Sequence, residues 1–155
     1  MPFIIIKVPE GVFEGAARQK LVAGVTAAAK DAEQIGDDPR QEFLTFVQIE
    51  EIKAGCLFAG GHDVSAQVVP VIVLWHAPAG VFDDAGRVRA IALVHQAITA
   101  AVPASEARRL VTSVMVGDVP DGSWSANGVR WRLAEFARAA GFKHLQHLVP
   151  TLAEA

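Results

Sequence analysis

The chain has 155 residues, of which 52% are apolar and 20% charged, and a formal net charge of −3. At ~100 to 200 residues per domain this is a single domain, and the hydrophobicity excludes intrinsic disorder. The acidic balance gives no basic footprint for nucleic acid, and the apolar excess is more than a small monomer buries, so a homo-oligomer is expected.

The N-terminal run MPFIIIKVPEG lacks the basic start and cleavage site of a signal peptide. Its Phe3 to Val8 stretch is rich in Ile, the mark of a buried strand. A Pro/Gly break follows, and from Glu14 to Glu33 the residues Leu21, Val22, Val25, Ala28, Ala29 and Ala32 recur at helical spacing. GDDPRQ, from Gly36 to Gln41, carries loop chemistry. Phe43 to Ile49 is the second predicted strand, closing at Gly55. Cys56 is the lone cysteine, so no intrachain disulfide or thiolate zinc cluster is possible and a reducing cytoplasm is expected. A linker from Gly60 to Gln67 leads to a third strand over Val71 to His76. Val64 to Phe82 has no Asp, Glu, Lys or Arg, but Gln67, Pro70, His76 and Pro78 interrupt it, so no membrane span is expected. Ile91, Val94, Ile98 and Val102 predict a second helix, and Leu110 to Val116 a fourth strand closing at Gly122. Asn127-Gly128 is a strong hairpin signal, followed by a short strand over Val129 to Leu133. A helix over Ala134 to Ala140, with Gly141 as its cap, leads into a frayed tail, LQHLVPTLAEA.

These elements repeat. Shifted by 69 residues, Pro9 to Ala28 falls on Pro78 to Ala97, with nine of twenty pairs identical, among them Pro9/Pro78, Gly11/Gly80, Phe13/Phe82 and Arg18/Arg87. With the offset at 67, Phe43 to Gly61 falls on Leu110 to Gly128, matching at Thr45/Thr112, Gly55/Gly122 and Gly61/Gly128. Each copy reads strand, helix, strand, which forms a right-handed crossover between parallel strands. The expected fold class is α/β (α+β): duplicated β-α-β units making a four-stranded mixed sheet with two helices, plus a C-terminal hairpin and helix. The repeats run from about 2 to 61 and 70 to 128, and the extension from 129 to 155.

A Met-Pro start, an aliphatic first strand, an EG turn, a helix with an RQK run and a second strand before a glycine-rich segment, all in duplicate, resemble the tautomerase superfamily. The likeness is to its fused members, of the 4-oxalocrotonate tautomerase, macrophage migration inhibitory factor and cis-3-chloroacrylic acid dehalogenase type, and covers Pro2 to Gly128. It implies a trimer and a catalytic Pro2, acting as base once Met1 is removed. The chemistry of the residue agrees, since a terminal proline is a basic secondary amine whereas an internal one, such as Pro70, is an amide. An α-amino group titrates near ~7.7 to 8.0 and burial lowers that value, which suits a general base.

The chain departs from the family at its substrate clamps. Val12 and Val81 replace the arginine after EG, Phe46 and Ser113 fall where the second-strand arginine belongs, and Pro78 and Val81 stand in place of the dehalogenases' arginine pair. Ala126 falls where those enzymes carry a water-activating glutamate, so hydration and dehalogenation are poorly supported. Arg130 is the remaining candidate to bind a substrate carboxylate through its bidentate fork. It alternates with Trp131 and shares a predicted strand face with Arg132, which is read as solvated. Trp124, aligned with Leu57, is expected to wall the pocket where the resemblance places an active-site Phe, and Met115 to line it from the strand. Arg18 and Arg87 are read as structural surface charges, His76 as structural rather than a proton shuttle, and His144 and His147 as surface residues rather than metal ligands. Ser113 and Ser123 lack a triad partner.

The expected function is a cofactor-independent keto-enol tautomerase, needing no metal, that acts on a small 2-keto acid or its enol. The alternatives are a decarboxylase or hydratase of the same fold, and a non-catalytic trimeric binding protein.

Overall fold

A computed structural model of the chain describes residues 2–150. In chain order the elements are β1 (Phe3–Pro9), α1 (Gly15–Ala32), the one-turn helix α2 (Pro39–Glu42), β2 (Phe46–Ile52), β3 (Phe58–Ala59), β4 (His62–Asp63) and β5 (Val68–Pro78). Then come α3 (Asp84–Ala101), β6 (Arg109–Val119), β7 (Trp124–Ala126), β8 (Val129–Trp131), α4 (Leu133–Ala140) and a 3-10 helix, Lys143–Leu148. The duplication is visible in the bounds: α1 and α3 start and end 69 residues apart, and β2 and β6 end 67 apart.

Each unit begins with the same turn. The Val12 N–H donates to the Pro9 carbonyl at 3.4 Å and the Val81 N–H to Pro78 at 3.2 Å, with Gly11 (φ 79°) and Gly80 (φ 95°) supplying the positive φ of a type II turn. The turn buries Phe13 and Phe82 under the helix that follows. One helical turn later the repeat-paired arginines reach the parallel strand, Arg18 to Glu51 and Arg87 to Asp118. These partly exposed pairs fix register more than they add stability.

The main sheet has the order β2-β1-β5-β6. β1 and β2 are parallel, as are β5 and β6, while β1 and β5 meet antiparallel and join the two units. Alternation along the strands sends Ile4, Ile6, Val8, Val71, Val73 and Trp75 to the helical side, all fully buried. There α1 and α3 pack closely: a Cβ added to Gly24 would lie 3.1 Å from that of Ala97. The opposite face keeps large apolar groups in solvent, with Phe46 47% and Met115 50% exposed.

Several boundaries differ from the expectations. β2 begins at Phe46 rather than Phe43, because Pro39 starts a helical turn in the expected loop and Gln41 caps it, accepting from the Asp38 N–H. The start of the Gly60 linker is the turn and second strand of the β3–β4 hairpin, turned by Gly60 (φ 58°) and Gly61 (φ 83°). It is the counterpart of β7–β8, where Asn127 (φ 51°) and Gly128 (φ 78°) form the predicted two-residue turn. β8 stops at Trp131, since Asp121 accepts from the Leu133 N–H at 2.7 Å and Glu135 from the Arg132 N–H at 2.7 Å, starting α4.

The start of the expected frayed tail is ordered. Residues up to Leu148 form the 3-10 helix and Leu145 is buried, whereas 151–155 lie outside the described residues. This C-terminal segment docks on the end of α1, with Gly36 N–H bonded to Ala140 and Lys143 N–H to Gln34. The Gln41 amide is wedged between Gly36 and Gly141, where a Cβ at either glycine would overlap it.

Gly141 also caps α4 at φ 64°. Gly141→Ala should therefore cost about 1 to 2 kcal/mol from the left-handed backbone alone, read as a lower denaturation midpoint in guanidinium. An unchanged midpoint would mean that the C-terminal segment does not depend on this cap.

Candidate active site

Pro2 sits where β1 begins. It is buried, and its carbonyl accepts from the Phe46 N–H at 3.1 Å, which carries the β1–β2 ladder to the second residue of the chain. The β1–β5 register pairs Phe3 with His76, and the parallel registers set Phe46 beside Phe3 and Gly117 beside His76. Phe3, Phe46 and His76 thus share the face away from the helices, at one end of the sheet.

A depression of about 590 Å³ opens there, within the ~300 to 1,000 Å³ range of small-molecule sites. Phe3, Phe46, Val119 and Trp124 line it with apolar surface, and His76, Ser123 and Ser125 supply polar groups. Trp124 is held edge-on against Phe136 at 5.5 Å, and Trp131, its partner across the hairpin, packs on the same ring at 5.1 Å. The hairpin is thereby fixed to α4, a rigid mount for an aromatic wall.

The structure does not bring all the expected residues together. Trp124 lines this depression, while Pro2 is buried and does not line it, although the next residue, Phe3, does. Met115 lies on the same sheet face, opposite Leu74, but is exposed and lines no part of the depression. Arg130 pairs with Ser125 across the hairpin but lines a different depression, with Arg132, Glu135 and Arg138. Arg132 is not on the strand: it precedes α4 and pairs with Asp121 at 3.1 Å. His144 bonds the Val81 carbonyl at 2.9 Å through Nε2, and no cluster of three metal-ligating side chains exists among the described residues.

Two residues gain weight from the structure. His76 lines the depression because of the antiparallel register, which its sequence position alone does not reveal. The other is Glu33, the one buried charged residue among those described. It follows the last turn of α1, in line with Val25 and Ala29 at four-residue spacing, so the helical period already places it on the buried face. Its Oε1 accepts from Trp75 Nε1 at 2.9 Å and its Oε2 has no hydrogen-bond partner. Burial pushes this carboxyl up to about 7, while the positive charge at the chain's N-terminus and the Trp75 bond oppose the rise.

No protein-family model and no curated protein sequence matches the chain. Solved structures do. A fused 4-OT solved as an asymmetric trimer superposes with a TM-score of 0.65 at 22% identity, covering 83% of this chain and 94% of that one. A member of the cis-3-chloroacrylic acid dehalogenase family gives 0.65 at 13% identity, over 95% and 92% of the two chains. Pt0534, solved after inactivation by 2-oxo-3-pentynoate, gives 0.63 at 17% identity over 84% and 94%. The fold is that of the tautomerase superfamily. Within the tautomerase fold, this chain combines an N-terminal strand that directly follows Pro2, an aromatic-walled depression and a buried carboxyl behind the sheet.

The Glu33 carboxyl makes stability depend on pH. Its folded value, about 7, lies above its ordinary 4.5, so the native state holds this proton more tightly than the unfolded chain. The group costs nothing below the ordinary value, and stability falls as pH rises from there to about 7, by roughly 3 kcal/mol. Glu33→Gln should flatten that fall in denaturation curves taken between pH 5 and 8. A wild-type fall that persists in the variant would assign it to other groups.

Proposed function

We propose that the chain is a cofactor-independent tautomerase in which the amine of Pro2, exposed by loss of Met1, is the general base. The observation that carries this reading is the burial of Pro2 at the end of β1, one residue before Phe3, which lines the apolar depression. An amine there loses hydration, which disfavours its charged form and leaves it able to accept a proton near neutral pH. It takes a proton from the carbon beside a carbonyl, the electron pair moves to the carbonyl oxygen, and the ammonium returns the proton at another atom of the enol system. Apolar walls, once closed over by a neighbouring subunit, would exclude water from the intermediate, and His76, Ser123 and Ser125 offer hydrogen bonds to its oxygens.

A small 2-keto acid or its enol fits such a pocket. Its carboxylate is the charge that Arg130 would read, and since Arg130 lines another depression of its own chain, that role requires a pocket completed by a neighbouring subunit. The solved fused 4-OT structures are trimers. A trimer here would cover the sheet face on which Phe46, Val111 and Met115 are exposed. Sedimentation equilibrium at micromolar concentration should give three times the mass of one chain, and a single-chain mass would remove the subunit-completed pocket.

Pro2→Ala tests the base. In correctly processed protein it should lower kcat/KM for enol-to-keto conversion of aryl or alkyl 2-keto acids by at least ~10²-fold, with the fold intact. An equal rate in both proteins, or Met1 retained in the intact mass of the native chain, would refute the proline mechanism and favour a non-catalytic binding protein.

A further inference from the structure

A buried carboxyl with an unpartnered oxygen needs a reason. Taking such a group out of water costs several kcal/mol, and buried polar atoms are nearly always bonded. Glu33 is fully buried, one oxygen held by Trp75 Nε1 at 2.9 Å and the other unsatisfied. Trp75 is the cross-strand neighbour of Ile4 on the helical side of the sheet. Pro2 precedes Ile4 by two residues, about 7 Å along the strand, and alternation sets it on the same side. The hydrogen bond to Trp75 therefore anchors Glu33 behind the strand end where Pro2 begins.

Other ionisable groups around this point are engaged elsewhere. On α1, Lys30 pairs with Glu42 and Asp37, and Asp31 with Arg89 of α3. From the C-terminal segment, Lys143 pairs with Asp37 and His144 bonds the Val81 carbonyl. His76 faces the opposite side of the sheet, into the depression. Desolvation is the largest influence on Glu33, and the charge opposing it is the ammonium of residue 1; loss of Met1 transfers that ammonium to the Pro2 nitrogen.

Resting on the proline reading above, we propose that Glu33 is a positioning residue for the N-terminal amine: its carboxylate is the buried counter-charge of the Pro2 ammonium. The proton that leaves the substrate carbon bonds to the Pro2 nitrogen, and Glu33 neither gives nor takes it. The carboxylate favours the cation being formed, an attraction strengthened by the low dielectric around it. Burial lowers the amine's affinity for a proton, and the counter-charge offsets part of that fall, keeping it basic near neutral pH. The pair then behaves as coupled sites, whose apparent titrations belong to both groups.

The test is a pH titration by NMR of the processed protein, reading the Pro2 ¹⁵N and the Glu33 side-chain ¹³C. In the native chain both nuclei should report the same two midpoints. In Glu33→Gln, which keeps an acceptor for Trp75, the amine should titrate about one unit or more lower, with the Trp75 indole N–H resonance marking an intact fold. Independent single-step curves in the native chain, or an unmoved amine in a folded Glu33→Gln, would overturn the proposal. The native-chain measurement stands even if the variant does not fold. No substrate is needed, so coupled titration in a protein without tautomerase activity would refute the enzyme reading and keep this one, and activity with uncoupled titration would do the reverse.

Discussion

The antiparallel contact between β1 and β5 is the constraint on which the molecule depends. Each β-α-β unit has one half-covered sheet and one helix, too little to stand alone. Joined along this seam, the units make a four-stranded sheet whose helical side is dry. The seam also sets the site, because its register puts His76 beside Phe3 and Trp75 beside Ile4. A shift of one residue would exchange the two faces, sending His76 into the core and Trp75 away from Glu33.

The fold was legible because the duplication states it twice. Periodicity alone predicted α1 and α3, and the identical turn residues around Gly11 and Gly80 fixed where each begins. Errors fell where short-range chemistry decides: Pro39 and Gln41 make a helical turn in what reads as loop, and Leu145 is buried through contacts that no local pattern shows. The site was less legible. Position and alignment single out Pro2 and Trp124, of which Trp124 lines the depression, but the strand spacing that suggests Met115 does not say which end of the sheet a residue reaches. Arg130 was placed near Trp124 by sequence proximity, yet the two-residue turn sends it to the other side of the hairpin. Glu33 lies on the apolar stripe of α1, but a glutamate at a helix end ordinarily reads as solvated, so the period alone does not make its burial legible from the sequence.

The duplication builds the same pocket at both ends of the sheet and then treats the two differently. Val119 and Trp124 line one, and their counterparts Ile52 and Leu57 line the other, with Pro70, Ser65 and Arg108. The second is a cavity of about 60 Å³, room for water rather than for a substrate. Leu57 is smaller than Trp124 and brings no hydrogen-bonding edge. Arg108 reaches in, bonded to the Ser65 carbonyl at 2.9 Å and paired with Glu106, whose carboxyl it holds down at about 2. That guanidinium is already committed, and a second carboxylate would have to displace the first.

The chemistry of the backbone makes the two ends unequal in a way that side chains cannot repair. Pro70 lies inside β5, in register with Val111, so its nitrogen is an amide whose lone pair is delocalised into the carbonyl and is not basic. A chain has one α-amine, so a fused pair of units with this mechanism has one site able to carry it. Under the proposed proline mechanism the second end carries no catalytic demand, and its pocket is filled by an ion pair and a smaller apolar group. The first end keeps two features that stability alone does not call for: an aromatic wall open to solvent and a buried, half-satisfied carboxyl behind the strand.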